Sequence, residues 1–353
     1  MGIPYFRGMS EEARKKSVEE AMHRIRRSTV LPDAESVSQR IVAGDRTALA
    51  QAITWVESTR DNQQQLGSAI LKHCLPFTGK SMRLGITGVP GVGKSTLIDA
   101  LGMHAIEQGH RVAVLAIDPT SQLSKGSILG DQTRMERLSQ SDCAFIRPSA
   151  SAETLGGVAR RTREVMLLCE AAGYDTILVE TVGVGQSETA VHGMTDMFLL
   201  LMLAGAGDQL QGIKRGIMEM CDALIITKAD GGNESAVAQA MGEYRNALHL
   251  FPAKETAWVP QVLSCSALQH RGISEMWELI VKHHHWMTER GILDAHRAEQ
   301  QQRWLDDYIR EELLTRFWQR PEVVERIGAL REQCTRGEIT PYEAAEQLLE
   351  LTS

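Results

Sequence analysis

The sequence predicts an α/β protein built on a doubly wound, mostly parallel sheet, with helical extensions at both ends. Three observations carry this. Short apolar runs alternate with longer amphipathic segments between Met82 and Leu263. A glycine-rich turn joins the first of these runs directly to a helical stretch. Polar, helix-favouring sequence lies on either side of this middle region. Short runs that are apolar on both faces suit parallel strands, whose two faces are both covered by helices.

The N-terminal extension is expected over residues 1–78. From Ser10 to Lys72 the chain is polar, and apolar positions such as Leu49, Ile53 and Val56 recur every three to four residues, as on one face of a helix. The α/β domain is expected over residues 79–292. Its strands are read at Arg83 to Thr87, Val112 to Ile117, Ala144 to Ile146, Thr176 to Val179, Met197 to Met202, Ala223 to Ile226 and Val259 to Leu263. Gly272 to Arg290 reads as the closing helix. Residues 293–353 form the C-terminal extension, with Leu305, Ile309, Leu313 and Phe317 in a stripe flanked by Trp304, Tyr308 and Trp318. So wide an apolar face needs a cover. Either the domain's own short helices (Val323 to Leu330, Tyr342 to Leu351) or a second subunit can supply it.

Composition limits the function classes. The chain has 353 residues, 43% hydrophobic and 24% charged, enough for one sizeable core with a helical addition. A net charge of -7 argues against a surface built for nucleic-acid backbones. The six cysteines (Cys74, Cys143, Cys169, Cys221, Cys265, Cys334) include no C-x-x-C pair, so buried reduced thiols are expected rather than disulfides or a zinc knuckle. No apolar stretch approaches the ~20 residues of a membrane span. Met1 to Arg27 carries arginines but also Glu11, Glu12, Glu19 and Glu20, against a transit peptide, so a cytoplasmic location is expected.

The segment Gly88-Val89-Pro90-Gly91-Val92-Gly93-Lys94-Ser95 fits G-x-x-x-x-G-K-[ST] in full and is followed by the helical run from Thr96 to Gln108. Glycines at Gly88, Gly91 and Gly93 let backbone N–H groups wrap a β-phosphate at distances a side chain would block. Lys94 places a positive charge between β- and γ-phosphates, and the Ser95 hydroxyl can complete a magnesium shell. The loop grips a triphosphate.

A strand ending Thr227-Lys228-Ala229-Asp230 resembles N-K-x-D, with threonine in place of asparagine. The Asp230 carboxylate can accept from guanine N1–H and the 2-amino group, which adenine cannot present there. Ser264-Cys265-Ser266-Ala267, with Leu268 after it, resembles the loop whose backbone N–H meets guanine O6. Together the two motifs favour GTP or GDP over adenine nucleotides.

Thr176 to Val179 runs into Glu180-Thr-Val-Gly183-Val-Gly-Gln-Ser-Glu188. An acid at this place holds a magnesium water, and a glycine three residues later gives its N–H to the γ-phosphate, which fits Glu180 and Gly183. Asp118 and Asp131, in a glycine- and serine-rich loop, are further Mg2+ candidates; as a strand-end turn and a helix cap they also have ordinary structural readings. The run Ala204 to Arg215 reads as a mobile loop, whose Gln211 and Lys214 either reach a phosphate or partner or are solvated polar groups at a helix start. His283-His284-His285 is expected on an exposed helical turn, and adjacent histidines do not share a helix face for metal binding.

These residues resemble the methylmalonyl-CoA mutase-associated GTPases (MeaB/ArgK-like P-loop GTPases of the SIMIBI class), also called arginine/ornithine transport kinases. The resemblance spans roughly Leu49 to Trp318. Its most specific stretches are Gly126 to Met135 (GSILGDQTRM), Glu180 to Glu188 (ETVGVGQSE) and Asp208 to Gly216 (DQLQGIKRG). It implies a homodimeric GTPase, slow until a partner orders its switch loops, that binds the adenosylcobalamin-dependent methylmalonyl-CoA mutase, couples nucleotide state to cofactor loading, and protects the mutase. It assigns Lys94, Ser95, Asp118, Asp131 and Glu180 to phosphate and metal, and Gln211 and Lys214 to a third switch loop, making Lys94, Glu180, Gln211 and Lys214 the catalytic set. Lys125 and Gln132 depart from the family pattern, which usually has glycine and a basic residue there. The alternative reading is an ATP-dependent kinase of an arginine/ornithine transport system.

Overall fold

The computed structural model describes residues 31–117, 135–147, 155–181, 187–205 and 215–351. The chain divides into two compact units, Met1–Lys80 with Glu164–Gly173, and Ser81–Arg163 with Tyr174–Ser353.

In the first unit, helices α1 (Ala34–Val42), α2 (Arg46–Val56) and α3 (Asp61–Cys74) pack on one another. Asp33 and Asp45 cap the first two by accepting from backbone N–H groups of the opening turn. Leu49, Ile53 and Val56 face inward as their spacing predicts. Gly67 of α3 lets the helices approach closely, since a Cβ there would lie 3.0 Å from the Val56 backbone.

The second unit holds a seven-stranded, all-parallel sheet in the order β3-β2-β4-β1-β5-β6-β7. The strands are β1 (Met82–Gly88), β2 (Val112–Ile117), β3 (Ala144–Arg147), β4 (Thr176–Thr181), β5 (Met197–Leu203), β6 (Ala223–Thr227) and β7 (Gln261–Ser264). Every expected strand is present. From β1 the chain builds outward through β2 and β3, returns to β4 beside β1, and then builds β5 to β7 on the opposite side. Such a reversal opens a crevice at the carboxyl ends of the central strands, where the loop after β1 lies. The core packs Leu84, Ile86, Leu199, Leu201 and Ile225 of the strands against Leu97, Ile98 and Leu101 of α4 (Lys94–Glu107) and Ile273, Met276 and Ile280 of α10 (Ile273–Glu289). The intervening helices are α5 (Glu136–Ser139), α6 (Leu155–Ala171), α7 (Ser187–His192), α8 (Arg215–Met220) and α9 (Glu234–His249).

Two ion pairs stand at the amino-terminal edge of the sheet. Arg297 of α11 (Ile292–Gln319) grips Asp196 with both Nε (2.9 Å) and Nη2 (2.6 Å), donates to Ser81 O at 2.6 Å, and Asp196 also accepts from the Arg83 N–H. Lys254 donates to Asp222 at 2.6 Å and to Met220 O, while Asp222 accepts from the Phe198 N–H. Each buried carboxylate is thus both paired and hydrogen-bonded, as buried charge requires.

The histidine run corrects the sequence expectation. His283 is only 2% exposed and lies edge-on to Trp258, with ring centroids 4.7 Å apart; His284 is half-buried, and His285 alone points out. Helical periodicity turns consecutive residues by about 100°, so one of three neighbours falls on the core face. Burial holds His192, His283 and His284 below the ordinary histidine pKa of 6.5. The unfolded chain therefore takes up these protons more readily, so the stability they contribute is complete above pH 6.5 and is lost as pH falls through it. The urea midpoint is expected to drop between about pH 7 and pH 5.5, before most carboxylates titrate. A flat or rising midpoint over that window would contradict it.

At the C-terminal end, α12 (Pro321–Thr335) and α13 (Pro341–Glu350) form a satellite core of Val323, Leu330, Ala344 and Leu348, against which Phe317 packs. The rest of the α11 stripe is not covered by these helices: Leu305, Ile309 and Leu313 are 59%, 46% and 63% exposed. Tyr308 receives the Arg160 guanidinium over its ring. Among the described residues, no helix is long and apolar enough to cross a membrane.

Candidate functional site

The segment Gly88 to Ser95 runs from the last residue of β1 through a turn into the first residues of α4, at the carboxyl edge of the sheet. Val92 is fully buried and pins the loop to the core. Gly88 is required by proximity: a Cβ there would stand 2.6 Å from Leu201 O. Gly93 opens the helix in a left-handed conformation (φ 97), leaving the first-turn N–H groups of α4 facing the loop. Lys94 Nζ donates to Gly88 O (2.8 Å) and Val89 O (3.4 Å), which stretches the side chain back across the loop. Burial lowers its pKa, opposed by the carboxylates of Glu180 and Glu188. Pro90, Gly91 and Thr96 are exposed around it.

Glu180, on β4 beside β1, is 5% exposed, and its Oε1 accepts from Ser95 Oγ at 3.3 Å. A hydroxyl and a carboxylate converging beside a phosphate loop are hard oxygen donors of the kind a small divalent cation takes. Glu188, at the start of α7 and 1% exposed, is a second acid whose charge Lys94 feels. It closes the quoted Glu180 to Glu188 stretch, yet its sequence position alone gave it no role. Asp118, Asp131, Gly183, Gln211 and Lys214, with Lys125 and Gln132, lie outside the described residues.

The two segments expected to select the base come together. Thr227 Oγ1 donates to Val92 O (2.7 Å) and is also within 3.2 Å of Met202 O, so the residue in the asparagine position ties β6 to the phosphate loop. Ser266 Oγ donates to Asp230 Oδ2 at 2.5 Å, joining the residues that sequence reasoning paired. Ala229 N–H bonds to Cys265 O, and Arg271 donates to Ala229 O at 2.5 Å. The loop from Ser266 to Arg271 closes on itself through reciprocal backbone bonds. Lys228 and Ala267 flank Asp230 and Ser266 in sequence, and Leu268 is 77% exposed at the loop's tip. Asn233 and Arg271, which both bond the Lys228–Ala229 turn, were missed because nothing in the motif points to them.

Cys74, Cys169, Cys221 and Cys265 are buried thiols; Cys334 is half-buried, and Cys143 is exposed, contrary to the expectation for all six. Burial pushes the Cys265 thiol up to about 12, so it remains protonated beside Asp230.

Comparison with known proteins finds similar chains. The family model described as methylmalonyl Co-A mutase-associated GTPase MeaB matches residues 49–322. A probable GTPase of Mycobacterium bovis is 49% identical over 319 residues, covering 90% of this chain and 95% of the relative. The GTPase ArgK of Escherichia coli is 49% identical over 285 residues (81% and 86%), and the mitochondrial methylmalonic aciduria type A homolog of Mus musculus is 44% identical over 319 residues (88% and 77%). Among solved structures, a LAO/AO transport system kinase superposes with a TM-score of 0.71 at 39% identity, covering 92% of this chain and 99% of that one.

Proposed function

We propose, from the premise that this chain belongs to the methylmalonyl Co-A mutase-associated GTPase family, that it is a GTP-driven switch acting on an adenosylcobalamin-dependent methylmalonyl-CoA mutase. The observation that carries guanine selection is the contact of Ser266 with Asp230, which fixes a carboxylate three residues past the end of β6. Ser266 uses one acceptor site of Oδ2, leaving Oδ1 and the second site of Oδ2 for guanine N1–H and the 2-amino group. The mutase as partner is supported by the family description and by the name of the mouse relative.

In this reading Lys94 holds the β- and γ-phosphates, exchanging its bonds to Gly88 O and Val89 O for phosphate oxygens. Ser95 and Glu180 would hold Mg2+, with Asp118 and Asp131 completing its surroundings; the ion supplies charge neutralisation at the phosphates. Gly183, Gln211 and Lys214 act from the switch loops, and partner-driven ordering of those loops sets the rate. The exposed face of Leu305, Ile309 and Leu313 takes a second copy of the chain. Sedimentation equilibrium at micromolar protein checks this, and a monomer there excludes it.

The test of guanine selection is Asp230→Asn, expected to move preference from GTP toward xanthosine triphosphate, whose C2 carbonyl accepts from the new amide. Equal turnover of both nucleotides by the variant, or better turnover of ATP than GTP by the unmodified protein, would overturn it and favour the transport-kinase reading. Phosphate release with and without purified mutase tests the partner: an unchanged rate removes the switch.

A further inference from the structure

Asn233 occupies the N-cap of α9, where an asparagine side chain ordinarily accepts a hydrogen bond from an N–H of the first helical turn. Here it makes no such bond. Its Nδ2 donates instead to Lys228 O at 3.0 Å, and its Oδ1 is shut off from solvent with no hydrogen-bond partner among the described residues. A lost cap and an unpaired buried acceptor both cost stability. A residue that breaks two local rules at once marks a place where the fold serves something other than stability.

What Asn233 holds is itself strained. Lys228 has φ 56, a left-handed conformation uncommon for a residue with a Cβ. Gly231 and Gly232, at φ 80 and 82, turn the chain so that Asn233 returns to it. The Lys228 stem runs along the phosphate loop, its Cε 3.8 Å from where a Cβ on Gly93 would stand. On its other side, Ala229 is fixed through Cys265 O and Arg271, and Asp230 through Ser266. Asn233 therefore supplies the anchor for the first residue of the turn that carries the base-selecting carboxylate.

We propose that Asn233 is a positioning residue for nucleotide recognition: by holding Lys228 O it fixes the Lys228 stem and the Asp230 carboxylate in the orientation the base requires, at the expense of the helix cap. This rests on the guanine-selecting reading above.

Asn233→Asp and Asn233→Ser separate this role from a structural one. Both side chains are good N-caps, but a carboxylate cannot donate to Lys228 O and a serine hydroxyl is too short to span to it. Both variants are expected to melt at or above the temperature of the unmodified protein. Their Kd for GDP by calorimetry is expected to rise about tenfold, the equivalent of ~1.4 kcal/mol. Their preference for GDP over ADP should narrow, while kcat at saturating GTP stays within about twofold, since Lys94 and Glu180 are untouched. Unchanged affinity in both variants overturns the proposal, and so does lowered melting with binding lost only in proportion. Should the unmodified protein bind ADP as tightly as GDP, the guanine reading fails; the affinity of the variants for either nucleotide still decides the role of Asn233.

Discussion

Replacing Lys94 with alanine is expected to lower the rate of GTP hydrolysis by about 10²–10³-fold, the usual effect of removing one preorganised charge donor from a developing transition state. The fold should persist with some loss of stability. Lys94 is already held against its preference, because burial lowers its pKa and the compensation comes from loop carbonyls and the carboxylates of Glu180 and Glu188. Its loss also leaves the buried carboxylates of Glu180 and Glu188 without that cation, so some stability is lost with it. Lys94→Arg should not rescue activity, since a planar guanidinium does not fit the space between Gly88 O and Val89 O that a compact ammonium fills. Phosphate release by the purified variants, with melting temperature measured alongside, checks both statements. Activity within about fivefold of the unmodified protein would remove Lys94 from the chemistry.

Arg297→Ala is expected to cost about 3–5 kcal/mol of unfolding free energy, the penalty of leaving a buried carboxylate without its partner. The pair is well buried, with side-chain exposure of 11% for Arg297 and 4% for Asp196, and the grip is bidentate. Among the described residues only the Arg83 N–H is left donating to the Asp196 carboxylate after the change, and Ser81 O loses the donor that Arg297 supplies. Arg297→Lys should recover little, because one ammonium cannot reproduce a two-pronged contact. Hydrolysis per folded molecule should stay near normal, since the clamp stands at the edge of the sheet opposite the phosphate loop. Urea unfolding followed by circular dichroism decides it: a change below about 1 kcal/mol would mean that α11 is held by other contacts.

Much of the site was legible because it is local. Gly88 to Ser95 is one contiguous turn whose residue types are set by contact between backbone and phosphate, so the motif carries its own geometry. The seven strands were legible because burial on both faces leaves continuous apolar runs, such as Val112 to Ile117, with no competing helical period. Strand ends were less so: β7 begins at Gln261, two residues after the expected start at Val259, since Val259 is 60% exposed and Pro260 cannot donate to the ladder. His283 was misjudged because three like residues carry no pattern to say which one faces the core.

Residue chemistry along the chain therefore determined the fold class, the turn from Gly88 to Ser95 and the pairing of Asp230 with Ser266, because each depends on short segments at the ends of strands. The tertiary structure alone decided what reaches across the chain. Thr227 bonds Val92 from 135 residues away, Arg297 finds Asp196 from 101 away, and Asn233 leaves its helix cap for Lys228. Such contacts depend on which elements the sheet order makes neighbours, and a hydroxyl, a guanidinium or an amide does not announce its partner until that order is set.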